Sequence, residues 1–224
     1  MTVIQDVAGT EVVVQAGTVS LPGTLTLPDE ACGLVVFVHG SGSSRFSSRN
    51  RYVAEVLNQG GLATLLFDLL TPEEHEIDVI TRKLRFDIGL LSERTIATLD
   101  WLAQQTAVSG LRVGLFGAST GAAAALNAAA ARRRQVAAVV SRGGRPDLAM
   151  EALPRVEAPT LLIVGGWDEP VIQMNREASR ALAAPWRLEI IQGATHLFAE
   201  PGKLEQVAAL ARDWFLRYLH AGRS

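Results

Sequence analysis

The sequence predicts an α/β fold: a mostly parallel, eight-stranded sheet with helices on both faces. Short apolar runs alternate along the chain with helix-length segments, which is the pattern of a doubly wound sheet. Runs such as LVVFV and TLLIV lack polar alternation, as is typical of strands buried on both faces. Two hairpin-like strands precede this alternation. A chain of 224 residues, 48% of them hydrophobic, can bury one large core, so we expect one domain over residues 1–224.

Each element of this fold has its own segment of sequence. The predicted strands cover residues 11–15, 20–27, 34–39, 63–67, 112–116, 136–141, 160–164 and 187–191. The predicted helices cover residues 49–59, 92–105, 119–132, 175–183 and 203–219. The last helix has a broad apolar stripe that includes Val207, Ala211 and Phe215, which is typical of a helix packed on a sheet.

Charge and cysteine content narrow the classes of function. The formal net charge is −2, so no basic excess favours a nucleic acid or an anionic membrane as partner. Cys32 is the only cysteine, which excludes an internal disulfide and a site of several thiolates around a metal. The N-terminal residues show no secretory leader pattern, and no apolar run approaches the length of a membrane span. We therefore expect a cytoplasmic protein.

Four loops that follow predicted strands hold the chemically informative residues. In doubly wound folds, ligands bind at the carboxyl ends of the strands. The loops read HGSGSS, GASTG, GGWDEP and QGATH, and three of them carry Ser119, Asp168 and His196. These residues follow the chain order of nucleophile, acid and histidine, so they predict a catalytic triad.

Ser119 is the centre of a Gly-x-Ser-x-Gly pattern between a strand and a helix. Such a turn forces the serine into a strained conformation above the sheet, and side chains at Gly117 and Gly121 would collide with neighbouring backbone. The alternative is a glycine-rich turn that only packs a helix. The preceding apolar run and the order of the other two residues favour a nucleophile.

The two partners of the serine have competitors. His196 follows a predicted strand, whereas His75 lies in an acidic run and His220 lies in the tail. Asp168 competes with Glu169 and Glu200 for the acid role. We favour Asp168 because it comes directly after its strand, where a short side chain can hold the imidazole in one tautomer.

The loop HGSGSS is predicted to supply part of an oxyanion hole. It lacks the third glycine of a dinucleotide-binding fingerprint and the Gly-Lys-Ser/Thr of a P-loop. The N–H of Ser41, after Gly40, and the N–H of Thr120, after the nucleophile, are the two expected donors. His39 is expected to pack and hydrogen-bond the loop without a catalytic role.

These motifs resemble those of a known family. The segments FVHGSGSSRFSSRNRYVAEVL, FGASTGAA, VGGWDEPV and GATHLF are similar to the α/β-hydrolase superfamily, and within it to the dienelactone-hydrolase-like branch. The resemblance implies an α/β-hydrolase fold and a serine-type hydrolase with Ser119, Asp168 and His196 as triad. Dienelactone hydrolases use a cysteine nucleophile, so Ser119 favours a carboxylesterase with no metal or organic cofactor.

The lengths of the connecting segments bear on the substrate. Larger members of the superfamily carry a helical cap, but residues 142–159 are too few for one, so we expect small, short-acyl esters. Residues 71–91 either fold over one side of the site or form a solvated loop with a short amphipathic helix. Within them, Arg82, Lys83 and Arg85 either attract an acidic substrate or pair with the nearby carboxylates of Glu73, Glu74, Glu76 and Asp78.

Three other functions remain open at this point. Acyl transfer to an alcohol or a peroxide would use the same triad, and so would hydrolysis of a dienelactone-type lactone. A non-catalytic, hydrolase-like binding protein is disfavoured by the complete set of catalytic residue types.

Overall fold

The structure is a computed structural model that describes residues 9–220. The described part does not include residues 1–8 or residues 221–224. Most of the N-terminal stretch that lacks a secretory leader pattern therefore lies outside it. Both limits of the expected domain, residues 1 and 224, therefore lie outside it too. Within residues 9–220, no helix has both the length and the apolar character needed to cross a membrane.

The described chain forms eight strands and six α-helices. The strands are β1 Thr10–Ala16, β2 Val19–Thr26, β3 Leu34–Val38, β4 Ala63–Phe67, β5 Val113–Ala118, β6 Val136–Arg142, β7 Thr160–Gly165 and β8 Trp186–Ile191. The helices are α1 Ser48–Gln59, α2 Pro72–Thr81, α3 Ile88–Leu102, α4 Thr120–Ala131, α5 Glu169–Ser179 and α6 Lys203–Leu219.

All eight strands join one sheet in the order β1-β2-β4-β3-β5-β6-β7-β8. β2 pairs antiparallel with β1 and with β4, and every other pairing is parallel. The predicted fold class is therefore confirmed. Parallel pairing from β3 to β8 brings the carboxyl ends of these strands to one edge, where the loops that follow them meet.

Helices cover both faces of the sheet, and the core accordingly has two main layers. Successive side chains of a strand point to opposite faces, so Val36 packs with α3 and α4 while Phe37 packs with α1 and α6. Helix α4 is rich in alanine, and Ala122 to Ala125 are fully buried. Such small side chains let this helix lie close to the centre of the sheet.

Two helices differ from the prediction by several residues at both ends: the structure has α3 at Ile88–Leu102 instead of residues 92–105, and α5 at Glu169–Ser179 instead of residues 175–183. A third helix lies in a segment for which no helix bounds were predicted. Residues 71–91 contain α2, which a capping box starts: the Thr71 hydroxyl accepts from the N–H of Glu74, whose carboxylate accepts from the N–H of Thr71. Helix α3 begins at Ile88, where Asp87 is the N-cap. Helix α5 begins at Glu169, because proline is compatible with the first helical turn.

Candidate active site

Ser119 lies in the sharp turn between β5 and α4. Its backbone has φ 51° and ψ −122°, a conformation that costs a non-glycine residue about 1–3 kcal/mol. Hydrogen bonds on both sides hold this turn: the Ser119 N–H donates to the carbonyl of Arg142 over 3.1 Å, and its own carbonyl accepts from the N–H of Ala122 over 3.1 Å. The half-buried serine therefore stands at the amino end of α4, above the sheet.

Three glycines allow neighbouring backbone to approach this turn. A Cβ atom at Gly117 would overlap the backbone of Ala122, and one at Gly121 would overlap the carbonyl oxygen of Val38. At Gly40, a Cβ atom would lie 3.0 Å from the carbonyl oxygen of Ala118. The space around Ser119 thus excludes side chains at positions 117 and 121 and crowds one at position 40.

Asp168 and His196 meet at the same edge of the sheet. Asp168 follows β7 as the N-cap of α5, and its Oδ2 lies 2.6 Å from Nδ1 of His196. The aspartate side chain is 15% exposed and the histidine side chain 38% exposed, so the pair is shielded on the carboxylate side. With Nδ1 donating to the carboxylate, Nε2 is left as the basic nitrogen. Within residues 9–220, no hydrogen bond joins this ring to Ser119.

The competing carboxylates make other contacts. Glu169 accepts from Gln173 within α5. Glu200 accepts from the N–H of Thr195 over 3.1 Å, and hydrogen bonds from the Thr195 side chain and backbone hold the pKa of Glu200 below its ordinary value. This hydrogen bond stabilises the loop that carries His196. The structure brings Asp168, rather than either glutamate, to the imidazole.

Gly143 borders the site and was missed by the sequence analysis. It follows β6 with φ +52°, and a Cβ atom there would lie 3.2 Å from the carbonyl oxygen of His196 and 3.4 Å from its Cε1. The glycine therefore makes room for the imidazole ring. The signal was present in the sequence as two glycines, Gly143 and Gly144, one residue after a predicted strand.

The two expected oxyanion donors are neighbours, but one of them is already bonded. The N–H of Ser41 donates to Oγ1 of Thr120 over 2.9 Å. Thr120 is the first residue of α4, so its own N–H is among those that lack a partner within the helix. The sequence analysis placed both residues here and missed the threonine hydroxyl as acceptor.

His39 supports the loop that carries Ser41. The ring is buried, its Nε2 accepts from the N–H of Leu69 over 3.1 Å, and its Nδ1 donates to the carbonyl of Gly40 over 3.0 Å. Burial lowers the pKa of His39 and favours the neutral ring that these two bonds require. This packing matches the structural role expected for His39.

Arg85 pairs with a carboxylate of its own segment. Its Nε lies 2.6 Å from Oδ2 of the buried Asp78, and its backbone N–H donates to Oδ1 over 3.0 Å. Burial acts to raise the pKa of Asp78, but these hydrogen bonds and the guanidinium charge outweigh it and leave that pKa lowered. The pair therefore holds residues 71–91 together beside the oxyanion loop.

A small cavity adjoins the oxyanion loop. Its volume is about 290 Å³, and its lining includes Ser43, Phe46, Leu70, Pro72 and His75. A cavity of about 550 Å³ lies at the opposite, amino ends of the strands, beside Leu34, Val113 and Val136. Within residues 9–220, no group of three or more His, Cys, Asp or Glu side chains is arranged to hold a metal ion.

The sequence model of the dienelactone hydrolase family matches residues 21–220. The chain belongs to the dienelactone hydrolase family. The dienelactone hydrolase from Anabaena variabilis is 61% identical in sequence to this family member. Its crystal structure superposes on this structure with a TM-score of 0.93 over 94% of this chain and 98% of that chain.

Two further proteins are similar to this chain, one in sequence and one in fold. A Mycobacterium tuberculosis protein named "Putative phosphoribosyl transferase" is 58% identical over 209 residues, which are 93% of this chain and 46% of that protein. This family member thus spans about half the length of that relative. Est1E from Butyrivibrio proteoclasticus is 18% identical, with a TM-score of 0.77 over 92% of this chain and 98% of its own, a likeness of fold alone.

Proposed function

We propose that this hydrolase is a serine carboxylesterase that cleaves short-acyl esters through an acyl-serine on Ser119. The observation that carries the proposal is the 2.6 Å contact between Asp168 and His196 at the sheet edge that also presents Ser119. An acid, a base and a strained serine at one edge are the components of nucleophilic acyl transfer.

The first half of the reaction forms the acyl-enzyme. Nε2 of His196 takes the proton of the Ser119 hydroxyl as Oγ attacks the ester carbonyl carbon, and Asp168 stabilises the imidazolium that results. The carbonyl oxygen becomes an oxyanion that accepts from the N–H groups of Ser41 and Thr120. His196 then donates its proton to the departing alcohol, which leaves the acyl group on Ser119.

The second half releases the acid. His196 removes a proton from water, the hydroxide oxygen attacks the acyl carbon, and a second oxyanion occupies the same donors. When the bond from the acyl carbon to Oγ breaks, Ser119 regains a proton from His196. These residues complete the cycle without any further group.

Two features support a small substrate. The segment between β6 and β7 forms only the short 3₁₀ turns Pro146–Ala149 and Leu153–Arg155. The cavity of about 290 Å³ beside the oxyanion loop is lined by Ser43 and Phe46 but not by Ser119 or His196, so it is not an acyl groove that leads from the nucleophile. Long acyl chains therefore find little apolar wall to bury them.

A panel of p-nitrophenyl esters tests this function. We expect acetate and butyrate esters to be hydrolysed faster than dodecanoate, and Ser119→Ala to remain folded without activity. Equal rates for wild type and Ser119→Ala would refute the mechanism, and a preference for dodecanoate would refute the small-substrate proposal.

Two additions to this panel distinguish acyl transfer and lactone hydrolysis, the alternatives that the sequence leaves open, from ester hydrolysis. Transfer of the acyl group to an added alcohol, in place of free acid, would indicate an acyltransferase. A dienelactone substrate measures lactone hydrolysis directly, and we expect it to be turned over more slowly than the acetate ester because the nucleophile is a serine.

A further inference from the structure

Helix α2 turns its apolar side chains outward. Ile80 is 84% exposed, and Ile77 and Val79 are both more than half exposed, whereas the only buried residue of α2 is Asp78. None of the other five α-helices within residues 9–220 leaves a large apolar side chain this exposed. We propose that this face of α2 is the contact surface of a symmetric dimer, in which it packs against the same helix of a second copy of this chain.

Polar contacts, in place of apolar packing, hold α2 on the domain. The carboxylate of Asp78 pairs with Arg85 over 2.6 Å, and the carboxylate of Glu74 pairs with Arg94 over 2.7 Å. Residues four apart lie on one side of an α-helix, so both carboxylates belong to the inner side of α2. The outer side, which carries Ile80, has no cover within the described chain.

Two phenylalanines extend the exposed apolar surface beyond the helix. Phe46 is more than half exposed and lines the small cavity together with Pro72 and His75, at the start of α2. Phe86 is also more than half exposed, at the end of the short 3₁₀ turn that follows α2. Exposed apolar patches of this kind mark interaction sites in soluble proteins. The α2 patch consists of Phe46, Ile77, Val79, Ile80 and Phe86.

Charges at the two ends of α2 favour a second copy as the partner. Glu73 and Glu76 are exposed in the first half of the helix, and Arg82 and Lys83 are exposed directly after it. No ion pair among residues 9–220 uses any of these four. Their signs suit the helix dipole, and they leave the patch acidic at one end and basic at the other. Antiparallel packing of two such helices brings opposite charges together, whereas parallel packing brings like charges together.

One register satisfies the apolar and the charged residues at the same time. A two-fold axis midway between Ile77 and Ile80 places each of these isoleucines opposite the other one in the second copy. In that register Lys83 falls within one residue of Glu73, and Arg82 falls within one residue of Glu76. A two-fold contact of this kind uses the same surface on both copies and closes after two chains.

The charge pattern disfavours a membrane as the partner. Helices that lie in an anionic membrane surface carry Lys and Arg on their polar face. The amino-terminal half of α2 has instead three carboxylates, those of Glu73, Glu74 and Glu76, which an anionic surface repels. A second copy of this chain supplies the opposite charge at the matching spacing.

Sedimentation velocity at increasing protein concentration tests the α2 patch. We expect wild type to form a reversible dimer, and Ile80→Glu to raise the Kd of that dimer by about tenfold or more, because the interface would then bury an unpaired charge. Val13→Glu is the matched control, since Val13 is 56% exposed on the edge strand β1, and it should keep the wild-type Kd. Circular dichroism and Tm establish that both variants are folded. A wild type that stays monomeric, or an Ile80→Glu variant with the wild-type Kd, would overturn the proposal.

Exchange of charges between two variants tests the antiparallel direction. The double variant Glu73→Lys/Glu76→Lys is basic at both ends of α2, and Arg82→Glu/Lys83→Glu is acidic at both ends. Each should self-associate more weakly than wild type, and an equimolar mixture should form a mixed dimer that native mass spectrometry detects. A mixture that associates no more than its components would overturn the antiparallel pairing. A monomeric wild type that binds phosphatidylserine vesicles would assign the α2 patch to a membrane and overturn the dimer. Neither measurement uses turnover, so the outcome is independent of the esterase proposal.

Discussion

The backbone N–H of Ser41 donates to the hydroxyl of Thr120 over 2.9 Å and so joins a loop to the first residue of α4, 79 residues away in sequence. This bond holds the Ser41 N–H beside the amino end of α4, where the oxyanion of the proposed reaction forms. The hydroxyl is a neutral acceptor, and an oxyanion is a stronger one because its hydrogen bonds are charge-assisted. We therefore expect the substrate to displace the threonine hydroxyl.

Thr120→Val tests this displacement. Valine has nearly the shape of threonine but cannot accept the Ser41 N–H, so kcat should be equal to that of wild type or higher, by up to about fivefold if a competing bond of about 1 kcal/mol is removed. Steady-state kinetics measures the effect, and Thr120→Ser, which keeps the hydroxyl, is the control. A loss of about 100-fold in the valine variant would show that the hydroxyl itself donates to the oxyanion.

Substitutions at Ser41 separate its backbone from its side chain. Ser41→Ala keeps the N–H and should retain most activity, whereas Ser41→Pro removes it and should lower kcat by about 10² to 10³. Circular dichroism and Tm establish that the proline variant is folded. Full activity in folded Ser41→Pro, or an alanine variant as inactive as Ser119→Ala, would remove Ser41 from the oxyanion hole.

The acid role is tested by a matched pair of neighbouring residues. Asp168→Asn keeps the size of the side chain but loses the charge that stabilises the imidazolium, so kcat should fall by up to about 10⁴. Glu169→Gln should be close to wild type, since Glu169 contacts Gln173 on the surface of α5. The reverse ranking of kcat would move the acid role to Glu169.

The pair of Asp78 and Arg85 predicts a pH-dependent contribution to stability. Because the pKa of Asp78 is lowered in the folded protein, its contribution is complete above the ordinary value of 3.8 and is lost as the pH falls through the folded-state pKa. Asp78→Asn should therefore have a lower Tm than wild type at neutral pH, and the difference should shrink below pH 3.8. A difference that is constant across this range would contradict the sign of the shift.

The prediction from sequence succeeded where the determining interactions are local. Continuous apolar runs identified the buried strands, and the order of Ser119, Asp168 and His196 along the chain placed them at one edge of a parallel sheet. The Thr71–Glu74 capping box is also a local signal, and it marks the start of α2 within the otherwise charged residues 71–91.

The missed features depend on contacts between distant segments. The acceptor of the Ser41 N–H is a side chain 79 residues away. Arg142 and Asn50 come from a strand and a helix that are 92 residues apart, and no pattern in either segment indicates that a buried cation lies between them. Such contacts follow from the packing of α1 against the sheet, which the sequence pattern determines only approximately.

The identity of the nucleophile is tested most directly by labelling with a fluorophosphonate and locating the adduct by tandem mass spectrometry. We predict a single phosphonate adduct on Ser119 in wild type and none in folded Ser119→Ala. The oxyanion-loop serines, Ser41, Ser43 and Ser44, are the nearest internal controls and should stay unmodified. An adduct on one of them, or equal labelling of the Ser119→Ala variant, would contradict the assignment of Ser119 as nucleophile.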